Sequence, residues 1–387
     1  MYKIVNRRKR YATAVADTLG HALFFPRKLL RRPVEIRPEE VREILIIRTA
    51  YIGDVVMTLP LLKPLKERFR AARTTLLTSA GAAALVAGHP HLDEVIPYNP
   101  FWFYPTGVWQ YLAFMRTMRA RHYDLVIEAR GDIREILLLA WPLRARHTVS
   151  YAVGGGGYLL DHEVPYPGLK HKVDYHLDIA RHLGCAIGPI AWGLEPRPEE
   201  VQAMDALLGR AGVPAAFVAI HPGSRLPLKM WPPERYAALA DRLAERHGLP
   251  IVLLGSPEER ALAERVAADM GRKAVNLAGA LDLRGLACLL ARAALLVCND
   301  SSPMHIASAV GTPTVAVFGP SKSVETAPFS PVGSVVEKDY PCRAGCDENS
   351  CRNAARRHGC MEDITVEEVL AAADAALAQA RHPRVQG

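Results

Sequence analysis

Three stretches of this 387-residue sequence bring together side chains that could do chemistry. The richest is LLVCNDSSPMHIASAVGTPTVAVFGPS, residues 295–321, which reads as strand, tight turn, short helix and strand. Leu295 to Cys298 is apolar enough for a parallel strand buried on both faces. Asn299, Asp300, Ser301 and Ser302 crowd the turn. Ser302 is expected to cap the helix and Pro303 to take its first position, where a missing N–H costs nothing. Gly311 should end it. Such a helix start points free backbone N–H groups outward, ready for an anion. Met304 and His305 fall in its first turn. Asp300 would repel a pyrophosphate, so sugar hydroxyls are its expected partners; a plain helix cap is the other reading. His305 could touch the phosphate or hold the loop.

The second stretch is HPGSRLPLKMWPPERY, residues 221–236. Gly223 and Ser224 can present N–H and hydroxyl groups to a phosphate, and Lys229 adds a compact positive charge. A solvated loop lysine is the alternative. The third is TAYIGD, residues 49–54, after the strand EILIIR. Gly53 allows a tight turn and Asp54 lands at a helix start, as cap or as general base for a hydroxyl nucleophile. Arg130, with Glu128 and Asp132, follows another strand and could meet an acceptor, or form a surface ion-pair set. Glu258, with Glu259, opens the helix after VLLGS, where it complements the helix dipole or binds donor hydroxyls.

These stretches need a scaffold, and the pattern supplies one. Short apolar strands alternate with helices from residue 43 onward, the signature of a parallel sheet covered on both faces. A Gly/Pro/Trp-rich passage near 188–198 divides the chain, and the second half repeats the first. The expected layout is an N-terminal arm at 1–40, doubly wound α/β domains at 41–190 and 191–365, and a last helix over 366–387 that could pack back across the cleft between them. Ligands of such sheets bind beyond the carboxyl ends of the strands. Pro60 and Pro64 should break the helix after Asp54. The aromatic loop 98–104 and the glycine run 154–157 are expected to line clefts.

The net charge is +8, and residues 1–34 carry all of it: nine Lys and Arg against Asp17 alone. A nucleic-acid groove in the main body is thereby disfavoured. Between the basic clusters, Tyr11, Val15, Leu19 and Ala22 share a helical face. Asp17 and His21 interrupt any membrane-spanning run, and the segment is too broken for a secretory signal. It reads as an interfacial helix on an anionic cytoplasmic leaflet, as a solvated tail, or as a helix docked on the same chain. Of seven cysteines, Cys342, Cys346, Cys351 and Cys360 cluster. Their C-x3-C-x4-C-x8-C spacing lacks the paired C-x2-C of common zinc sites, so reduced thiols in a loop or a structural metal are the readings. No H-E-x-x-H, Walker lysine or G-x-S-x-G occurs, and the glycine run does not fit a dinucleotide fingerprint.

The segments 44–62 (ILIIRTAYIGDVVMTLPLL), 221–236 and 298–321, in this order and separation, resemble glycosyltransferase family 9, the bacterial heptosyltransferases. The resemblance spans residues 43–380. It implies a GT-B fold of two Rossmann-like domains facing across a cleft, the first taking a lipopolysaccharide core or lipid-linked glycan acceptor and the second a nucleotide sugar, typically ADP-heptose. It implies inverting transfer with no cofactor and no catalytic metal, in the cytoplasm or peripherally on the cytoplasmic face of the inner membrane. By the same resemblance Asp54 is the base, Lys229 meets donor phosphate, and Asp300 the donor sugar. Ser302, Pro303, Met304 and His305 lie beneath the diphosphate. Two departures stand out. Ser302 replaces a glycine of many members, and Glu-Ala-Arg at 128–130 replaces an Asp-Leu-Gln type, which bears on acceptor identity. The cysteine cluster occurs in some relatives. A nucleotide-sugar epimerase of this fold and a non-catalytic nucleotide-sugar-binding protein are the competing functions; turnover without acceptor marks the first, and donor binding without transfer the second.

Overall fold

The computed structural model describes residues 7–30, 35–346 and 348–381. Lys3, Arg31 and Arg32, the side chains of Arg7, Lys9, Arg27 and Lys28, and residues 382–387 of the expected last segment lie outside that description. The chain divides into two compact units, Met1–Gly193 and Leu194–Gly387.

The first unit holds six parallel strands: β1 (Glu43–Arg48), β2 (Arg73–Thr78), β3 (Glu94–Pro97), β4 (Leu125–Glu128), β5 (His147–Ser150) and β6 (His162–Glu163). Their order is β3-β2-β1-β4-β5-β6. The second holds β7 (Val218–His221), β8 (Ile251–Leu253), β9 (Val275–Asn276), β10 (Leu295–Asn299), β11 (Thr314–Phe318) and β12 (Gly333–Glu337), in the order β12-β11-β10-β7-β8-β9. Each is a doubly wound sheet, so the α/β expectation holds for both units. The winding reverses between β1 and β4 in one sheet and between β7 and β10 in the other. Ligands of doubly wound sheets bind at that reversal, outside the carboxyl ends of the strands. The loops leaving these four strands carry Asp54, Arg130, Lys229 and Asp300.

The apolar runs explain the central strands: every residue of β10 and β11 is buried, and all but the first of β1. The break at Pro60 and Pro64 occurs as expected: helix Ile52–Thr58, a 3-10 turn at Leu59–Leu61, then helix Leu62–Arg68. The core of the second unit contains Trp231 and Tyr236 together with Val369, Leu370, Ala373 and Leu377 of the last helix, Val366–Arg381. That helix therefore contributes to its own unit's core, where the sequence reading expected one that could pack back across the cleft.

Two further expectations change. The alternation of strands with single helices is broken after β4, where residues 133–143 form a short helical turn, a π segment at Ile136–Ala140 and a 3-10 turn. The glycine run receives the N-terminal helix, Arg7–Leu30. Gly155 has φ 94°, and a Cβ on it would lie 2.9 Å from Thr13 Cγ2. The next amide, Gly156 N–H, donates to Asp17 Oδ1 at 2.8 Å. The run is a seat for a helix on the same chain.

Candidate functional site

In the first unit the site is the turn after β1. Its tight residue is Tyr51, at φ 47°, ahead of Gly53, which lies inside the first helical turn. A left-handed φ on a bulky residue is costly and tends to mark a functional turn. Asp54 is buried and not a side-chain cap. Its Oδ2 pairs with Arg48 Nη2 at 3.1 Å and its Oδ1 with Lys172 Nζ at 2.8 Å. Burial alone would raise its pKa; the charges of Lys172 and Arg48 outweigh that and hold it far below the usual carboxylate range. Arg48 is itself buried, and its Nε and Nη1 have no hydrogen-bond partner among the described residues.

Near Asp54 a second polar residue, His176, is buried. His176 Nδ1 donates to the Met57 carbonyl at 2.9 Å. Burial, reinforced by Arg48, brings its pKa down to about 3, so the ring is neutral. Beneath the loop, Glu128 and Glu135 are both buried. Burial first, and then the Glu135 charge, push Glu128 well above its usual range. Ser150 Oγ donates to Glu128 at 2.6 Å, and Thr49 Oγ1 donates to Glu135. Glu128 is thus a structural acid, outside the surface ion-pair set read from sequence. Arg130 pairs with Asp132 at 3.7 Å and lies 4.5 Å from the Phe103 ring centroid. Tyr51 also approaches that ring, at 6.4 Å. The aromatic loop therefore does meet the Asp54 turn.

In the second unit Asn299 organises the site. It is fully buried. Its Oδ1 accepts from Trp231 N–H at 3.0 Å and Tyr236 O–H at 2.9 Å, and its Nδ2 donates to the Pro222 and Gly223 carbonyls at 2.8 and 3.2 Å. One side chain locks the end of β10 to the turn after β7. Beside it, Lys229 Nζ pairs with Asp300 Oδ2 at 2.9 Å and with Glu348 Oε2 at 2.8 Å. Burial would raise Asp300; the charge of Lys229 lowers it below its ordinary value. Lys229 and Asp300 thus form an ion pair, where sequence assigned them separate ligand groups.

Helix Ser302–Val310 begins one residue earlier than expected. Ser301 is its N-cap, Ser302 its first residue and Pro303 its second, and Gly311 closes it at φ 80°. No side chain caps it. Ser301 Oγ turns toward His221 Nδ1 at 3.4 Å. Met304 and His305 are buried behind the helix start. Gly223 is closely covered: a Cβ there would sit 2.1 Å from Glu259 Oε1. Ser224, after β7, is half-buried, and Glu258, after the neighbouring β8, is exposed. Glu259 takes the inward position instead, bonding His221 at 3.2 Å and Ser256 N–H at 2.8 Å. Burial opposes its ionisation, yet His221 and Ser256 bring its pKa to about 2.

Cys342, Cys346, Cys351 and Cys360 line one pocket with Leu228 and His358, all as free thiols. Among the described residues no group of three or more His, Cys, Asp or Glu is arranged to hold a metal.

Sequence reasoning missed Lys172, His176, Arg48 and Asn299. Arg48 and Asn299 left a trace, each a polar residue closing an apolar strand. Lys172 and His176 left none, because their partners lie more than a hundred residues away.

A model of glycosyltransferase family 9 (heptosyltransferase) matches residues 111–355. Lipopolysaccharide heptosyltransferase 1 of Pseudomonas aeruginosa is 28% identical, over 80% of this chain and 87% of the relative. Lipopolysaccharide heptosyltransferase 2 of Escherichia coli K12 is 25% identical, over 87% and 99%. Among solved structures, a family 9 glycosyl transferase from Veillonella parvula superposes with TM-score 0.74 at 22% identity, over 89% of this chain and 100% of that one. The E. coli ADP-heptose heptosyltransferase II does so with TM-score 0.70 at 24% identity, over 88% and 99%.

Proposed function

The chain belongs to glycosyltransferase family 9, and on that premise we propose that it moves a heptose, or a similar sugar, from ADP-heptose to a lipopolysaccharide core acceptor in a single inverting displacement. The relatives' names supply the donor and acceptor class. The observation that carries the mechanism is Asp54, a buried carboxylate kept ionised by Arg48 and Lys172 at the reversal of the first sheet. In this reading Asp54 takes the acceptor hydroxyl proton as that oxygen attacks the anomeric carbon. The bond from carbon to the diphosphate oxygen breaks, and its electron pair leaves with the diphosphate.

The second unit holds the leaving group. Lys229 and the N–H groups at the start of helix Ser302–Val310 meet the growing negative charge, with Ser224 and the Gly223 turn beside them. Asp300 accepts from sugar hydroxyls once Lys229 turns to phosphate. This arrangement does the charge neutralisation that a divalent cation would otherwise do, so transfer should persist in a chelator. The unpaired Arg48 N–H groups and Arg130 face the acceptor. The acceptor's lipid puts the reaction at the cytoplasmic face of the inner membrane.

Asp54→Asn tests the assignment. Transfer should fall at least a hundredfold, while thermal stabilisation by ADP-heptose stays as in the parent enzyme. If donor binding drops in step with activity, Asp54 is not the base.

A further inference from the structure

The N-terminal helix is amphipathic the wrong way round for a helix packed on its own protein. A docked helix ordinarily buries its apolar stripe and shows water its polar face. Here Asp17 faces inward, 6% exposed, with its carboxylate on the Gly156 N–H. Gly20 lies against Tyr158, and Phe24 meets Tyr158 and Trp141. The other side presents Tyr11, Val15, Leu19 and Leu23, between 58% and 77% exposed. The helix is held firmly by its polar and small residues, and its large apolar residues point away.

A second helix of the first unit repeats the pattern. In Val108–Arg119, Met115 and Met118 are buried. Trp109, 79% exposed, and exposed Leu112, Arg116 and Arg119 share the opposite face, at intervals of three, four and three residues. Both helices border the same segment, 136–143. Phe24 of the first touches Trp141 edge-on at 6.0 Å, and Tyr111 of the second donates to the Leu138 carbonyl at 3.0 Å.

We propose that these two helix faces form a lipid-docking surface that seats the first unit on an anionic bilayer. Charge decides between occupants. Residues 1–34 carry nine basic side chains, and their one acid, Asp17, is buried against the protein. The rest of the chain is neutral. A second copy brought face to face would oppose like charge with like charge. Anionic headgroups complement it, while the apolar stripe and Trp109 enter the headgroup–acyl boundary. No described helix is long and apolar enough to cross the membrane, so the attachment is to one leaflet surface. None of its residues is among those assigned to donor or acceptor, and its binding is measured without any sugar present.

The test is co-sedimentation of the full-length chain with vesicles of phosphatidylcholine alone or with phosphatidylglycerol. The parent protein should bind the anionic vesicles, bind neutral ones at least tenfold less, and release as salt rises. Val15→Glu/Leu19→Glu, both on the outward face, should weaken anionic-vesicle binding at least tenfold while melting temperature and the ADP-induced thermal shift stay unchanged. Failure of the parent to bind, or equal binding by the double variant, overturns the proposal. So does a concentration-dependent dimer that the double variant dissociates without any parent affinity for vesicles, which would give this face to a second copy.

Discussion

As the proposed base, Asp54 is unusual, because its two cations make it a weak one. Every positive charge near a carboxylate favours its ionised form and lowers its proton affinity. Lys172 is the larger electrostatic contributor, ahead of Arg48. The same interaction stabilises the fold: a depressed pKa adds stability above the ordinary aspartate range and loses it as pH falls through the folded value. For catalysis the sign runs the other way. Replacing Lys172 with Met removes one cation, so the Asp54 pKa rises toward normal. The acid limb of kcat/KM should then move to higher pH, with transfer retained because Arg48 still orients the carboxylate. A pH–rate profile of the variant measures this. An unmoved acid limb would show that some other group sets it.

At the scale of elements, the proposed donor side is built from two loops, and a third reaches into it. Glu348, itself at φ 63°, reaches Lys229 from the loop between β12 and the last helix. In the proposed donor mode its carboxylate competes with donor phosphate for that lysine. Glu348→Gln removes the competing charge, so ADP should bind about fivefold more tightly. Titration calorimetry at fixed ionic strength reads the change, and an unchanged or weaker affinity removes Glu348 from the donor's path. Much of this loop geometry was legible in advance. The run from Leu295 to Phe318 announced strand, turn, helix and strand, because apolar runs and Gly311 are local signals. Its cap was misplaced by one residue, since two adjacent serines differ only in backbone angles that sequence does not carry. Strands β5, β6 and β12 went unread because HTVS, HE and GSVVE are short or polar. The ion pairs at Asp54 and Lys229 were invisible for a different reason: sequence lists the charged residues, whereas folding chooses which of them meet.

For the whole molecule, the two units repeat one topology with different charge chemistry at the reversal of each sheet. The first buries a carboxylate between cations, with an acid pair beneath it. The second sets a lysine and a helix start together. Each unit has its own sheet and core cluster, so a ligand held by one unit stabilises that unit directly. A ligand bound only to the native state adds about 2.7 kcal/mol at a hundred times its Kd. For a unit of roughly 200 residues that corresponds to a rise of roughly 5–10 °C in Tm. ADP should therefore move the unfolding transition of the second unit by that amount and leave the first where it was. Limited proteolysis along the melt assigns each transition to its unit, since cleavage of β10 and β11 should be delayed by ADP and cleavage of β1 and β4 should not. Lys229→Ala should abolish most of the shift, whereas Asp54→Asn should preserve it. Protection of the first unit by ADP, with the second unaffected, would reverse the division of labour between donor and acceptor.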